Sequence, residues 1–142
     1  VMASPKEEQQ VLSDSAPPIE KKKYTVIIGA TPNPMRYAYF AAQKLNRHDH
    51  PILPLGIKKG QVEGIDILDL RRRPALENVD TVTMYINPIH QAEWEDYILS
   101  LKPRRIIFNP GTENPRFASK ANSIGIETLN ACTLVMLSAG TY

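Results

Sequence analysis

Apolar and polar positions follow two different periods along the chain from Tyr24 onward. Short apolar runs typical of buried strands occur at residues 24–29, 51–56, 80–86, 104–110 and 126–130. Between several of them the apolar residues recur at the spacing of one helix face, as in Ala38, Ala41, Ala42 and Leu45. Alternating strands and helices predict βαβ units and a parallel sheet. We expect an α/β, Rossmann-like doubly wound sheet of about five strands in the order 3-2-1-4-5, with helices on both faces.

Two parts of the chain depart from this alternation. Within residues 57–79, "IDILDL" is typical of a short extra strand and "PALENV" of a helical turn. The first 22 residues carry scattered apolar positions without a period and three prolines, so they bury too little apolar surface to offset their ordering entropy. We expect residues 1–22 to be a disordered tail or an expression remnant, and residues 23–142 to form one domain.

Composition and charge exclude several classes of function. In 142 residues, 17 basic and 15 acidic side chains give a net charge of +2, whereas a nucleic-acid binder carries a clear basic excess on one face. The one cysteine, Cys132, excludes an internal disulfide, and no apolar run approaches the roughly 20 residues of a membrane span. We expect a cytoplasmic protein with no nucleic-acid or membrane partner.

The dipeptide Asn-Pro occurs three times where a helical pattern begins, at Asn33-Pro34, Asn87-Pro88 and Asn114-Pro115. The asparagine side chain accepts a hydrogen bond from a free backbone N–H one turn in, and proline presets φ at the first helical position. In an open parallel sheet, helix starts follow the carboxyl ends of the strands, where ligands bind and the helix dipole favours an anion. We therefore predict that all three dipeptides lie along one ligand-binding edge of the sheet.

The turn after the first strand, "GATPNP" at 29–34, lacks the second and third glycines of a dinucleotide site. Such a site also has an acid about 20 residues further on, at the end of the second strand, for the ribose hydroxyls. Here the second strand ends at Leu55 and Gly56, and Lys58 and Lys59 follow. These residues favour a phosphate-rich ligand without a free ribose diol, such as an adenosine 3′-phosphate that carries a pyrophosphate.

Four stretches in a fixed order carry a family resemblance: "VIIGATPNPMRYAYFAAQKL", "HPILPLG", "NVDTVTMYINP" and "IIFNPGTENPRFASKANSIGIETLNAC". Through them, the chain from Lys23 onward resembles the small stand-alone CoA-binding proteins. Those proteins are similar to the N-terminal Rossmann-like domain of the succinyl-CoA synthetase alpha subunit. The resemblance implies a Rossmann-like domain that binds the small molecule coenzyme A, free or as an acyl-CoA.

The resemblance also implies binding residues on four loops at the edge of the sheet. The first loop would hold the pyrophosphate through backbone N–H groups and one hydroxyl, with an arginine reaching a phosphate. The second would flank the adenosine, with Lys58 or Lys59 on the 3′-phosphate. The third would pack against the adenine or pantetheine, and the fourth would lie near the pantetheine end. In chain order the implied residues are Gly29, Ala30, Thr31, Asn33, Arg36, Leu55, Gly56, Lys58, Met84, Tyr85, Asn109, Pro110 and Gly111.

No group of residues predicts catalysis. The related acyl-CoA ligases use a phosphorylated histidine from a second domain, and this sequence shows no such domain. His90, in the first turn of a helix, and Cys132 are the candidate reactive groups, but neither has a catalytic partner at a telling spacing. The "HDH" of residues 48–50 is expected at the opposite edge of the sheet without a third ligand. We therefore predict neither catalytic nor metal-binding residues.

Three interpretations stay open. The leading one is a CoA or acyl-CoA binding module without chemistry of its own. A Rossmann-type enzyme that uses another nucleotide would share the fold, and the absence of an acid after the second strand counts against it. A protein-interaction domain that has lost its ligand is favoured by Ala131, where the family commonly has arginine, and by Leu55, which stands in an atypical turn.

Overall fold

The computed structural model describes residues 21–142. The predicted tail at residues 1–22 therefore lies outside the described residues, apart from Lys21 and Lys22. Both of these lysines are exposed, and the Lys22 ammonium lies 3.6 Å from the Asp49 carboxylate.

A six-stranded parallel sheet forms the centre of the fold, in the order β5-β2-β1-β6-β7-β8. Its strands are β1 (Thr25–Ile28), β2 (Ile52–Gly56), β5 (Leu68–Asp69), β6 (Thr81–Met84), β7 (Arg105–Phe108) and β8 (Glu127–Asn130). A separate antiparallel hairpin follows β2 and consists of β3 (Gln61–Val62) and β4 (Ile65–Asp66).

The α/β class and the parallel sheet are confirmed, whereas the predicted order of strands is wrong. The strand over residues 80–86 was expected outside β2, but β6 pairs with β1, Thr25 against Thr81. The place outside β2 belongs to the two-residue strand β5, which pairs through Leu55 and Leu68. A strand of two residues has too weak a sequence pattern to predict its membership of the sheet, so residues 80–86 take its place in the predicted order.

Helices cover both faces of the sheet. They are α1 (Tyr37–Arg47), α2 (Glu95–Ser100), α3 (Pro115–Asn122) and α4 (Thr133–Ala139), joined by short 3₁₀ helices at Leu70–Arg72, Pro88–His90 and Ala92–Trp94. None of the helices within residues 21–142 has the length and apolar character needed to cross a membrane.

Two apolar clusters hold these layers together, one on each face. On one face, Val26, Ile28 and Phe108 pack with the residues of α2 and α3, and the Phe108 and Phe117 rings meet edge to face with centroids 5.7 Å apart. On the other face, Ile27 and Ile107 pack with residues of α1 and α4. Strands covered on both faces explain the uninterrupted apolar runs of β1 and β7.

The order of strands creates a switch point between β1 and β6. From β1 the chain moves outward to β2 and β5, and it then returns to the other side of β1 to build β6, β7 and β8. The connections on the two sides run in opposite directions, so the loops after β1 and β6 diverge and leave a crevice at the carboxyl edge.

Candidate functional site

A cleft of about 1010 Å³ opens at the carboxyl edge of the sheet, over the switch point. The loops after β1, β2, β6 and β7 and the 3₁₀ helix after β5 form its walls. Ten of the thirteen predicted binding residues line it: Gly29, Ala30, Thr31, Asn33, Arg36, Gly56, Lys58, Tyr85, Pro110 and Gly111. The sequence thus located this edge of the sheet from separate loops.

The turn after β1 is held by the neighbouring strand. The N–H groups of Gly29 and Ala30 both donate to the Leu55 carbonyl oxygen at 2.9 Å. The sequence predicts that these two groups bind the pyrophosphate, but in the structure they already have an acceptor. Gly29 has φ +98°, and a Cβ there would lie 3.1 Å from the Tyr85 carbonyl group and 3.0 Å from the Ile86 side chain. The positive φ and the close approach of the loop after β6 both favour glycine at this position, whereas the expected close approach of a ligand stays a prediction.

The free donors of the first loop lie at the start of α1. Asn33 does not cap this helix, because its side chain accepts from the Met35 N–H at 3.0 Å and closes a separate turn. The helix begins at Tyr37, its N-cap Arg36 makes no side-chain capping bond, and the N–H groups of Tyr37 and Ala38 have no acceptor among residues 21–142. Both residues line the cleft, so an uncapped helix N-terminus is presented to it.

The other two Asn-Pro dipeptides cap helices as predicted. The Asn87 side chain accepts from the Ile89 N–H at 3.0 Å, and the Asn114 side chain accepts from the Phe117 N–H at 3.1 Å. All three dipeptides follow carboxyl ends of parallel strands, so the prediction that they share one edge is confirmed.

The loop after β2 is packed tightly against the loop after β1. A Cβ on Gly56 would lie 2.2 Å from the Ala30 carbonyl oxygen, and one on Gly60 would lie 2.6 Å from the Pro32 Cβ. Glycine at positions 56 and 60 therefore lets the two loops approach more closely than a Cβ would permit. Lys58, which lies between these glycines, lines the cleft. Of the two lysines considered from the sequence, Lys58 lines the cleft and Lys59 does not.

The charged groups of the cleft are mainly basic. Arg36, Lys58 and Arg71 line it, with Glu93 as its acidic side chain. The Arg71 guanidinium is held by the Asp69 carboxylate, with Nε 2.9 Å from Oδ1 and Nη2 3.2 Å from Oδ2. This pairing lowers the pKa of Asp69, so the carboxylate stays ionised beside its arginine.

Three predicted residues do not reach the cleft. Leu55 and Met84 are fully buried, because their side chains lie in the apolar cluster between the sheet and the helices on one of its faces. Asn109 is 2% exposed and acts as a structural link. Its amide nitrogen donates to Thr83 Oγ1 at 2.7 Å and to the Met84 carbonyl, and its oxygen accepts from the Thr133 N–H.

A buried amide that the sequence analysis missed holds the far wall. Gln91 Nε2 donates to the carbonyl oxygens of Ile86 and Thr112 at 2.8 Å, and its Oε1 accepts from Asn114 Nδ2 at 2.9 Å. It therefore joins the loops after β6 and β7. A single glutamine in a polar loop gives no signal of this in the sequence.

A family model described as the CoA binding domain matches residues 23–138, which span the whole sheet and the cleft. The chain belongs to this CoA-binding domain family. The resemblance noted from the sequence is thereby confirmed.

Solved structures share the fold of this CoA-binding domain. An uncharacterized protein known from a crystal structure is 54% identical, with a TM-score of 0.84 over 87% of this chain and 100% of its own. A hypothetical protein from Pyrococcus horikoshii OT3 (18% identity, TM-score 0.72, 96% of this chain and 92% of its own) shows the fold alone. A protein from Thermus thermophilus (19% identity, TM-score 0.72, 99% of this chain and 100% of its own) likewise shows the fold alone. No curated protein matches.

Two reactive candidates occupy different places in this CoA-binding domain. His90 is exposed and lines the cleft, whereas Cys132 is half-buried at the N-cap of α4 and does not line it. Tyr85, which lines the cleft, has its pKa raised by burial and by the nearby Cys132, so its phenol stays neutral. The "HDH" segment is separate: His50 is buried and accepts from the Lys23 N–H through Nδ1 at 3.0 Å.

Proposed function

We propose that this chain binds coenzyme A, free or as an acyl-CoA, in the cleft over the switch point, and that it carries out no chemistry of its own. The observation that carries the proposal is the uncapped start of α1 beside Arg36 and Lys58. Free N–H groups, a helix dipole and two cations together favour a ligand with several phosphates. Membership of the CoA-binding domain family supports CoA among such ligands.

The pyrophosphate would lie at the start of α1. The donors proposed for it are the N–H groups of Tyr37 and Ala38, the Thr31 side chain and the Arg36 guanidinium. These replace the Gly29 and Ala30 N–H groups, which the Leu55 carbonyl already occupies. The volume of the cleft, about 1010 Å³, is at the upper end for small-molecule sites, as a ligand of this size requires.

The two ends of the ligand would lie on opposite walls. The adenosine is assigned to the wall with Gly56, Ile57 and Lys58, where exposed Ile57 offers an apolar surface beside a cation. The pantetheine is assigned to the wall with Tyr85 and the loop at Pro110 and Gly111. The neutral, largely buried phenol of Tyr85 is a better neighbour for the uncharged pantetheine than for a phosphate.

Absence of catalysis is part of the proposal. His90 would be the group nearest to any chemistry, and it lies on an exposed 3₁₀ turn beside Glu93 in the lining of the cleft. The cysteine, Cys132, does not line the cleft, so His90 has no thiol beside it there. The protein would act in the cytoplasm as a binding module.

Isothermal titration calorimetry against CoA, acetyl-CoA, dephospho-CoA, NAD and NADP tests the proposal. Saturable binding of CoA or acetyl-CoA, much tighter than that of NAD and NADP, is expected. Preference for NAD or NADP would support a nucleotide-dependent enzyme instead, and no binding at all would support a protein-interaction domain.

A pair of lysine variants locates the ligand. Lys58→Ala removes a cleft cation, and Lys59→Ala removes the same charge from the next residue, outside the lining. A charge-assisted contact contributes about 1.5–3 kcal/mol, so Lys58→Ala is expected to weaken CoA binding about 10- to 100-fold. Equal losses in the two variants would place CoA elsewhere.

A further inference from the structure

Arg71 is a cation of the cleft that the predicted site does not include. It lies in the 3₁₀ helix Leu70–Arg72, directly after β5. Leu70, 1% exposed, anchors this turn in the core, and the Asp69 side chain caps it by accepting from the Arg71 N–H at 3.0 Å. The backbone that carries Arg71 is therefore fixed at both ends of one short turn.

The side chain of Arg71 is paired with its neighbour in the turn. The Asp69 carboxylate takes Nε at 2.9 Å and Nη2 at 3.2 Å, while Nη1 has no acceptor among residues 21–142. Arg71 lines the cleft and Asp69 does not. Arg71 therefore brings to the cleft a cation whose Nε and Nη2 are bound by Asp69 and whose Nη1 the carboxylate leaves available to a ligand.

The pairing of Asp69 with Arg71 differs from the usual site for a ribose, in which a carboxylate binds the ribose hydroxyls. In a dinucleotide site, a carboxylate at the end of a strand accepts hydrogen bonds from the two ribose hydroxyls. Here the carboxylate at the end of β5 is occupied by Arg71, and β2 ends in Gly56 without an acid. A ribose with two free hydroxyls therefore lacks the unpaired strand-end carboxylate of a dinucleotide site, whereas a ribose that carries a phosphate finds the planar guanidinium of Arg71.

The position of Arg71 fits the far end of a nucleotide. Strand β5 is separated from β1 by β2 alone, so the ends of β1 and β5 are two strand spacings apart, roughly 10 Å. One nucleoside with a phosphate at each end can bridge the start of α1 and the turn after β5. Lys58 lies on the loop between these two points.

We propose that Arg71, held by Asp69, is the residue that selects a ligand with a phosphate on its adenosine ribose. This inference rests on the proposed function, because it assigns the 3′-phosphate of CoA to the wall that would hold the adenosine. Lys58 supplies a flexible charge there, and Arg71 supplies the fixed donors that distinguish CoA from dephospho-CoA.

Four variants in calorimetry with CoA and with dephospho-CoA test the inference: Arg71→Ala, Arg71→Lys, Asp69→Asn and the matched control Arg72→Ala. Arg72 carries the same charge one residue further on and does not line the cleft. Arg71→Ala is expected to weaken CoA binding about 10- to 100-fold and to leave dephospho-CoA binding unchanged. Arg71→Lys and Asp69→Asn, which lose the planar fork or its orientation, are expected to give smaller losses for CoA alone.

The outcomes separate this inference from the proposed function. If the parent binds CoA, but Arg71→Ala weakens both ligands equally or neither, the assignment of Arg71 is overturned and the CoA site stands. An equal effect of Arg72→Ala on CoA would also overturn it, because only the overall charge would then matter. If the parent binds neither ligand, the proposed function fails and the inference fails with it. Circular dichroism melts of each variant show whether it is folded.

Discussion

Replacing Gly56 with alanine tests whether the close contact between the first two loops builds the cleft. The added Cβ would lie 2.2 Å from the Ala30 carbonyl oxygen and 3.1 Å from its carbon. Both are backbone atoms, so no change of side-chain rotamer relieves the overlap. Gly56 is also absent from the glycines with positive φ, so alanine brings a steric cost without backbone strain at position 56 itself.

The loss of stability in Gly56→Ala depends on how far the Ala30 carbonyl group must move. To make room, the Ala30 carbonyl must withdraw, and this strains the two 2.9 Å bonds that Gly29 and Ala30 donate to the Leu55 carbonyl. Overpacking costs about 1–3 kcal/mol, and a weakened hydrogen bond adds about 1 kcal/mol. We expect a loss of about 2–4 kcal/mol, which lowers the melting temperature by roughly 10 °C.

Thermal melts and CoA calorimetry on Gly56→Ala and Gly64→Ala measure this prediction. Gly64 lies in the β3–β4 turn with φ +74° and open space around its Cβ, so alanine there costs only the roughly 1–2 kcal/mol of left-handed backbone. Gly56→Ala is expected to lose stability and CoA affinity together, whereas Gly64→Ala keeps its affinity. A Gly56→Ala protein with the parent's melting temperature and affinity would refute the reasoning.

Three further predictions concern the core and the walls of the cleft. Gln91→Ala leaves two buried carbonyls and the Asn114 amide without their partner and should cost about 3 kcal/mol in urea unfolding; a cost below 1 kcal/mol would contradict this role. Phe117→Ala opens a cavity beside Phe108 and should cost about 3–5 kcal/mol by the same measurement, and a smaller loss would mean that the site collapses. Burial raises the pKa of Tyr97 to about 12, so an ultraviolet titration should find this phenol ionising above pH 10. The stabilisation by the neutral Tyr97 phenol is complete below pH 10 and is lost as the pH rises towards 12. Tyr97→Phe should remove this share of the pH dependence of stability and leave the share of Tyr85.

The sequence by itself determined the class of fold and the edge of the sheet at which the cleft lies. Periods of apolar residues are local, so a run such as Ile27 to Ile28 or the face of Ala38, Ala41 and Leu45 can be recognised without the rest of the chain. Parallel strands then bring every strand-to-helix loop to one edge. That is why ten separately predicted residues from four loops meet in one cleft.

Only the tertiary structure decided which atoms of that edge are free to bind. The Gly29 and Ala30 donors are used because β2 brings the Leu55 carbonyl against them, and the helix donors are free because Asn33 closes a turn of its own. The place of β5 and the pairing of Asp69 with Arg71 likewise depend on strand neighbours. Hydrogen bonds and sheet order join residues that are distant in sequence, and a local pattern records neither their distances nor their competition for partners.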